Sequence, residues 1–247
     1  MNSDDIMKSD DMLSENQMYI IIGVGILLLI LVITALSISS TSYPNPTAYY
    51  PLVTSGAGCV AIVQNEATYA VPSGFTFFGN WAFDPTKKLS TTTLSNSNKT
   101  ATFSSADILK SDIALPDTIG KYMYSISLSY NNANAAETNG VGLGSNAFVP
   151  NISKYPGYDN TAIGIYDDGS AWFDNSTPST DAEDANYSGG SVMHGKTGNL
   201  PNIIDIAVHL ANKRIWYRVD NGIWNGISEA DPSINKKGWC FKHMAGK

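Results

Sequence analysis

Basic charge is scarce in this 247-residue chain, and arginine is almost missing. Fifteen lysine and arginine residues stand against 22 acidic residues, and only Arg214 and Arg218 are arginines. No stretch gathers basic residues into the stripe with which nucleic-acid-binding proteins neutralise phosphates. The composition therefore argues against nucleic acid as a partner. Few arginines beside 22 asparagines also indicate an AT-rich coding genome.

Residues that perform catalysis or hold metals are equally sparse. The three histidines are far apart and have no metal-ligand spacing, and the five glutamates suggest no carboxylate pair for glycoside hydrolysis. The sequence contains no G-x-S-x-G elbow, phosphate-binding loop or C-x-x-C motif. The glycine-rich residues 140–144 precede no helix and indicate a closely packed strand. We expect no enzymatic activity, no catalytic residue, no metal site and no cofactor.

An acidic, Ser/Thr/Gly-rich segment at residues 175–199 predicts a long surface loop. Its acidic residues, together with Asp174, have the oxygen chemistry that calcium sites use: Asp181, Glu183 and Asp184. A solvated acidic loop explains the same residues, and we favour that interpretation.

One long run lacks charge altogether. It begins at Tyr19 and ends at Ile38, and its 20 residues are mostly Ile, Leu and Val. At about 1.5 Å rise per residue, such a helix spans roughly 30 Å, the hydrocarbon thickness of a bilayer. A buried core helix would carry a polar face, and a signal peptide would have a basic start and a shorter apolar run. The run predicts a single-pass transmembrane helix, which leaves the side of the membrane open.

Segments of different character flank this predicted anchor. Residues 1–18 carry five acids and one lysine, and predict an acidic disordered tail. Residues 39–51 contain three prolines and small polar residues, and predict a linker. Residues 52–79 predict one or two extra strands or a stem, and residues 80–247 predict the main β domain.

Two neighbouring segments within residues 203–226 alternate as half-buried strands do. The first places aliphatic residues at every second position: Ile204, Ile206, Val208 and Leu210. The second alternates Ile215, Tyr217 and Val219 with Arg214, Trp216 and Arg218. A tight turn follows at residues 220–222, where Asn and Gly tolerate positive φ. The pattern predicts a hairpin, and because a lone hairpin is unstable in water, other strands must pack against it.

Other segments add strands to this hairpin. Residues 121–130 alternate so that one face would meet the core and the other face, with Met123, Ser125 and Ser127, would meet water. Residues 162–174 predict another hairpin, with its turn at residues 167–170. Together these segments predict an all-β fold.

Several motifs resemble, in order, those of SPRY-like domains in the concanavalin-like β-sandwich group. They are Val141-Gly142-Leu143-Gly144, Tyr155-Pro156-Gly157, Gly164-Ile165-Tyr166-Asp167-Asp168-Gly169 and the hairpin of residues 203–226. Upstream, Phe83-Asp84-Pro85 and the following residues are similar to the family's first hairpin, and the resemblance covers residues 80–232. It implies an antiparallel two-sheet sandwich that binds proteins or glycans through loops and performs no chemistry. It also implies further strands after Asp231-Pro232, where this chain is short.

The resemblance directs attention to loop residues. Aromatic side chains offer rigid contact area at small entropic cost. The binding candidates are therefore the aromatic residues near predicted loop ends, together with two polar residues beside them. The candidates are Tyr155, Tyr158, Asp159, Asn160, Trp172 and Trp224. The first and last strands lie close together in such sandwiches, so a disulfide between Cys59 and Cys240 is one hypothesis. Two unpaired thiols are the other.

These observations predict a non-enzymatic, membrane-anchored structural or interaction protein. SPRY-like domains occur in structural proteins of phages and large viruses, so the leading hypothesis is a virion minor capsid or membrane protein of a large DNA virus. Its partners would be the lipid bilayer and other capsid proteins. The alternatives are a cell-surface lectin-like receptor that binds glycans and a membrane-bound glycoside-active enzyme.

Overall fold

The computed structural model describes Tyr19, Ile26 and residues 44–129, 139–151, 153, 155–167, 169–174 and 202–246. The chain divides into two units, Met1–Ser42 and Tyr43–Lys247. Within the described residues, no helix combines the length and apolar character needed to cross a bilayer. Apart from Tyr19 and Ile26, the predicted anchor lies outside the described residues, as do the predicted acidic tail and the loop of residues 175–199.

Short strands make up almost all regular structure in the second unit. They are β1 Tyr49–Ser55, β2 Val60–Val63, β3 Thr76–Phe77, β4 Thr92–Ser95, β5 Thr100–Phe103, β6 Asp107–Lys110, β7 Lys121–Ser129, β8 Gly140–Ser145, β9 Ala162–Tyr166, β10 Ala171–Phe173, β11 Asn202–His209, β12 Arg214–Val219 and β13 Trp239–Cys240. Two 3-10 helices, Trp224–Gly226 and Pro232–Ile234, lie between β12 and β13.

The strands form two sheets, which confirms the predicted all-β, antiparallel two-sheet sandwich. Sheet A has the order β10-β9-β8-β1-β6 and sheet B the order β13-β12-β11-β7-β2-β5-β4. The one parallel pairing among the described strands joins the two-residue β3 to Tyr122 and Met123 of the inner strand β7, outside the main order of sheet B. The predicted hairpins are present as β11–β12, β9–β10 and β4–β5.

Aromatic side chains fill the space between the sheets. Tyr217 stacks on Trp239 with ring centroids 5.5 Å apart, and Trp81 meets Tyr124 edge to face at 6.2 Å. Tyr124 is fully buried, and its hydroxyl donates a 2.6 Å hydrogen bond from β7 to the carbonyl oxygen of Gly142 in β8. Because β7 belongs to sheet B and β8 to sheet A, this bond joins the two layers.

The prediction that one face of β7 meets water is wrong. Met123, Ser125 and Ser127 on that face are all buried. The Ser125 hydroxyl donates to Asp205, whose other carboxylate oxygen accepts a 2.8 Å hydrogen bond from Arg218 Nε. Arg218 also donates to the backbone oxygen of Ala70. Loop segments therefore cover the outer face of sheet B, and serine serves there as a hydrogen-bonding group.

The folded unit begins earlier than the sequence indicated. β1 starts at Tyr49, inside the predicted linker, and lies between β6 and β8 in sheet A. Pro51 sits in this inner strand although it lacks an N–H. The Pro51 carbonyl accepts from Ser111 N, so its nitrogen faces β6, and the ladder to β6 begins only at Leu52. The donor that proline lacks therefore falls at the end of the pairing between β1 and β6.

The disulfide hypothesis is not met: Cys59 and Cys240 are both free thiols. The start of β1 does approach the C-terminal segment, since Tyr49 and Phe241 have ring centroids 6.0 Å apart. However, β1 runs along the sandwich before Cys59 follows it, and Cys59 lies beside Asn139 at the other end. Cys240 pairs with Arg214 at the end where β1 starts. The chain ends meet, but the cysteines are separated by the length of the sandwich.

The resemblance implies further strands after Asp231-Pro232, and in the structure one short strand follows that position. Trp239–Cys240 adds β13 to the edge of sheet B, and β1 and β2, which precede residue 80, occupy inner positions in the two sheets. Residues 52–79 thus supply strands that complete the sandwich, one of the outcomes the sequence left open.

The Asp205–Arg218 pair has a measurable role in stability. Burial raises the pKa of the Asp205 carboxyl, and hydrogen bonds from Ser125 and Arg218 partly oppose that rise. Arg218→Leu would leave the carboxylate buried without its cation, so the free energy of unfolding should fall by about 3 kcal/mol at neutral pH. A raised native pKa means that the folded state binds more protons than the unfolded state, so stability falls as pH rises.

Urea unfolding at several pH values measures both effects. The loss caused by Arg218→Leu should grow from about pH 4, the unfolded-state pKa, toward neutrality. The matched control is the double variant Asp205→Asn/Arg218→Leu, which removes the ionisable group and should remove this pH dependence. An equal loss at acidic and neutral pH in the single variant would contradict the proposed role of the ion pair.

Candidate binding surface

Four aromatic side chains gather on the outer face of sheet A, and we call them the tyrosine patch: Tyr155, Tyr158, Tyr166 and Trp172. Tyr155 lies at its centre and meets the other three edge to face, with ring centroids 5.5, 6.2 and 6.5 Å away. Tyr155 is 37% exposed and Tyr158 42% exposed, whereas Trp172 is half-buried. Edge-to-face contacts hold the rings in fixed relative orientations.

Alternation along β9 and β10 explains why the patch faces outward. Ile163 and Ile165 belong to the core between the sheets, so Gly164 and Tyr166 point to the opposite face. Trp172, whose neighbours in β10 point into the core, pairs with Gly164 and lies on the same outer face.

Two glycines let residues 155–158 lie flat on this face. A Cβ at Gly164 would overlap the carbonyl oxygen of Pro156, and a Cβ at Gly157 would overlap the carbonyl oxygen of Trp172. Gly157 also has φ of +94°, which side-chain-bearing residues rarely adopt. The Tyr166 hydroxyl donates a 2.8 Å hydrogen bond to the Pro156 carbonyl. Backbone contacts therefore fix the segment that presents Tyr155 and Tyr158.

The polar neighbours of the patch shape the following turn. Asp159 Oδ1 accepts hydrogen bonds from the backbone nitrogen and the hydroxyl of Thr161, at 2.9 and 2.5 Å. The backbone oxygen of Asn160 accepts from Ala245 N at 2.8 Å, which ties this turn to the C-terminal segment. Asp159 and Asn160 lie beside the patch, and their hydrogen bonds stabilise the turn that follows Tyr158.

The sixth candidate, Trp224, lies elsewhere. It belongs to the 3-10 helix Trp224–Gly226, and its ring is 4.5 Å from the guanidinium carbon of Arg218 over the outer face of sheet B. The structure thus brings Tyr155, Tyr158, Asp159, Asn160 and Trp172 together and separates Trp224 from them.

Tyr166 is the patch residue that sequence reasoning missed. The hairpin of residues 162–174 was predicted, and extending its alternation would have placed Tyr166 on the face shared by Gly164 and Trp172. What the sequence could not show is that the chain before Tyr158 folds back over that face. Burial, with a further contribution from Tyr155, raises the pKa of the Tyr166 hydroxyl, so this hydroxyl stays protonated as a donor.

Metal-binding groups are not assembled in the described part of the chain, where no three His, Cys, Asp or Glu side chains come together around a common point. His209 contacts the Asn235 side chain at 3.3 Å, and burial, followed by the charge of Lys121, lowers its pKa. The acidic residues Asp181, Glu183 and Asp184 lie outside the described residues.

A buried polar cluster surrounds Asn139 and is internally bonded. Asn139 Oδ1 accepts from the Ser55 hydroxyl and from Gly56 N, at 2.6 and 3.0 Å, and its amide donates to Asp167. These bonds close one end of the sandwich. The tyrosine patch, in contrast, offers exposed side chains suited to contact with another molecule.

Comparison of the chain with protein-family models, curated proteins and solved structures found no match in any of the three. The resemblance to SPRY-like domains therefore rests on the sequence motifs, and the fold itself is described by its two antiparallel sheets.

Proposed function

We propose that this chain is a non-enzymatic, membrane-anchored interaction protein that uses the tyrosine patch to contact partner proteins. The observation that carries the proposal is the exposure of Tyr155 and Tyr158 on a backbone segment held by glycine contacts and the Tyr166 hydrogen bond. Aromatic residues that are already ordered lose little entropy on binding, and tyrosine is enriched at the energetic centres of interfaces.

The uncharged run from Tyr19 to Ile38 supports attachment to a lipid bilayer. The resemblance to SPRY-like domains and the arginine-poor, asparagine-rich composition favour a virion origin. The full proposal is a minor capsid or membrane protein of a large DNA virus that tethers or contacts other capsid proteins. The link from fold type to virion rests on analogy.

A lectin-like receptor is the second candidate, and the same two exposed tyrosines favour it. A tyrosine ring presents an apolar face for a sugar ring and a hydroxyl for its polar edge. Asp159 and Asn160 place further polar groups beside these rings. The two candidates share one surface and differ in the chemical class of the partner.

Photo-crosslinking tests the protein-partner proposal. Benzoylphenylalanine replaces Tyr158 in cells that produce the chain, and irradiation should then yield one crosslinked adduct of defined mass. If particles are purified from these cells, the adduct should be present in them at a fixed stoichiometry. The matched control is the same substitution at Ile223, which is 54% exposed but distant from the patch. Equal adducts at both positions, or none at position 158, would contradict a partner site at the patch.

A glycan array tests the second candidate. If the chain is a lectin, it should bind a defined set of glycans, and Tyr155→Ala/Tyr158→Ala should weaken that binding at least about tenfold, equivalent to about 1.4 kcal/mol. Ile223→Ala is the control for a general loss of exposed apolar surface. A blank array with the unaltered chain would remove the lectin candidate and leave the protein-partner proposal intact.

Alkaline carbonate extraction tests the anchor. The unaltered chain should remain with membranes, whereas Leu28→Arg/Leu29→Arg should release it, because each arginine near the centre of a spanning helix costs about 2.5–3.5 kcal/mol. Asn2→Arg/Asn16→Arg adds the same charge outside the apolar run and should leave the chain in the membrane. Extraction of the unaltered chain would rule out a spanning anchor.

A further inference from the structure

Exposed aliphatic side chains cluster where the chain enters the folded unit. We call this region the tether end: residues 44–48, the loop of residues 111–120 and residues 146–149, which follow β8. Its exposed residues are Ile113, Ile119 and Val149, at 43, 70 and 60% exposure. Isoleucine and valine are usually buried, so three of them exposed on neighbouring loops indicate a surface that contacts something apolar.

Backbone hydrogen bonds place these loops at one end of the sandwich. Leu115 N donates to the oxygen of Tyr49 at 2.8 Å, and Asn146 N donates to the oxygen of Ala48 at 3.0 Å. The entering chain is fixed in the same region, since Gly246 N donates to the oxygen of Pro44 at 2.7 Å. The aliphatic residues and the start of the folded unit therefore share one end.

The turn that carries Ile119 is held in a definite shape. Asp117 Oδ1 accepts hydrogen bonds from the backbone nitrogens of Ile119 and Gly120, and Asp117 Oδ2 accepts from the Tyr122 hydroxyl at 2.7 Å. The Tyr122 hydrogen bond, followed by the backbone bonds, lowers the pKa of Asp117 and keeps its carboxylate ionised as an acceptor. Ile119 thus projects from a supported turn.

We propose that the tether end lies against the lipid surface and that Ile119, with Ile113 and Val149 at the same end of the sandwich, inserts into the bilayer interface. This inference rests on the proposed membrane anchor and adds which surface of the folded unit faces the lipid. We assign a lipid bilayer as the contact of this surface because the chain that connects the predicted anchor to the folded unit is short. Only residues 39–43 separate the apolar run from Pro44, where the described part of the folded unit begins, and six residue steps reach at most about 20 Å.

The opposite end is too distant for that connection. The nine residues of β7 extend about 30 Å along the sandwich, beyond the reach of about 20 Å that the connecting chain allows. Charge at the tether end is mixed: Lys213 donates a hydrogen bond to the Tyr49 hydroxyl at the start of β1, and the loop of residues 111–120 carries Asp112 and Asp117. Apolar contact, more than headgroup charge, therefore distinguishes this surface.

Depth-dependent fluorescence of the full chain in vesicles tests the inference. The chain with Ile119→Cys and Cys240→Ser is labelled with nitrobenzoxadiazole at position 119, while the buried Cys59 is left intact. In phosphatidylcholine–phosphatidylserine vesicles, the label should gain intensity severalfold, shift to shorter wavelength and be quenched by nitroxide-labelled lipid. The matched control is Ile223→Cys in the same background, at an exposed isoleucine beyond the opposite end of β12.

Flotation of the same samples separates this inference from the proposed function. If the chain floats with vesicles and the label at position 119 is quenched more than the label at position 223, the tether end faces lipid. If the chain floats and both labels behave alike, the anchor stands and the inference is overturned. If the chain does not float, the membrane anchor and the inference both fail.

Discussion

The aromatic layer between the two sheets is the interaction on which the rest of this structure depends. Trp81, Tyr124, Tyr217 and Trp239 occupy it, and the Tyr124 hydroxyl bonds to the backbone of the opposite sheet. Each large ring removes much apolar surface from water, and edge-to-face or stacked contacts fix its position. Within sheet A, Gly142 lets β9 lie close beside β8, because a Cβ there would overlap the carbonyl oxygen of Ile163. The paired sheets then form a rigid support for everything outside them.

Both outer faces of the sandwich carry loops, with different consequences. Over sheet B, Arg218 and Asp205 form a buried ion pair that ties residue 70 to β11 and β12. Over sheet A, Gly144 of β8 and Gly164 of β9 leave room for Phe148 and Pro156 to lie close to the strands. The first arrangement buries its polar groups, whereas the second leaves Tyr155 and Tyr158 exposed on a fixed backbone. That difference is why the tyrosine patch, and not the Trp224 region, is the candidate for contact with a partner.

The proposed partner contact and the proposed lipid contact use different surfaces of the sandwich, so both can occur at the same time. Chain entry, Ile113 and Ile119 lie at the tether end, whereas the patch lies along the outer face of sheet A. A sandwich held by that end against a bilayer would keep the patch available to a neighbouring molecule. The short connection of residues 39–43 would restrict the height of the patch above the lipid, which suits a protein that contacts fixed neighbours.

The sequence by itself determined the strands whose alternation is local: residues 121–129, the hairpins β9–β10 and β11–β12, and the inward side chains of each. It also placed Tyr155 and Tyr158 among the candidate loop residues, and both are partly exposed in the structure. Only the tertiary structure decided that β1 begins inside the predicted linker, that both faces of β7 are buried and that Cys59 lies far from Cys240. Each of these depends on which distant segments pack together, and pairing between strands remote in sequence leaves no periodic signal in either strand alone.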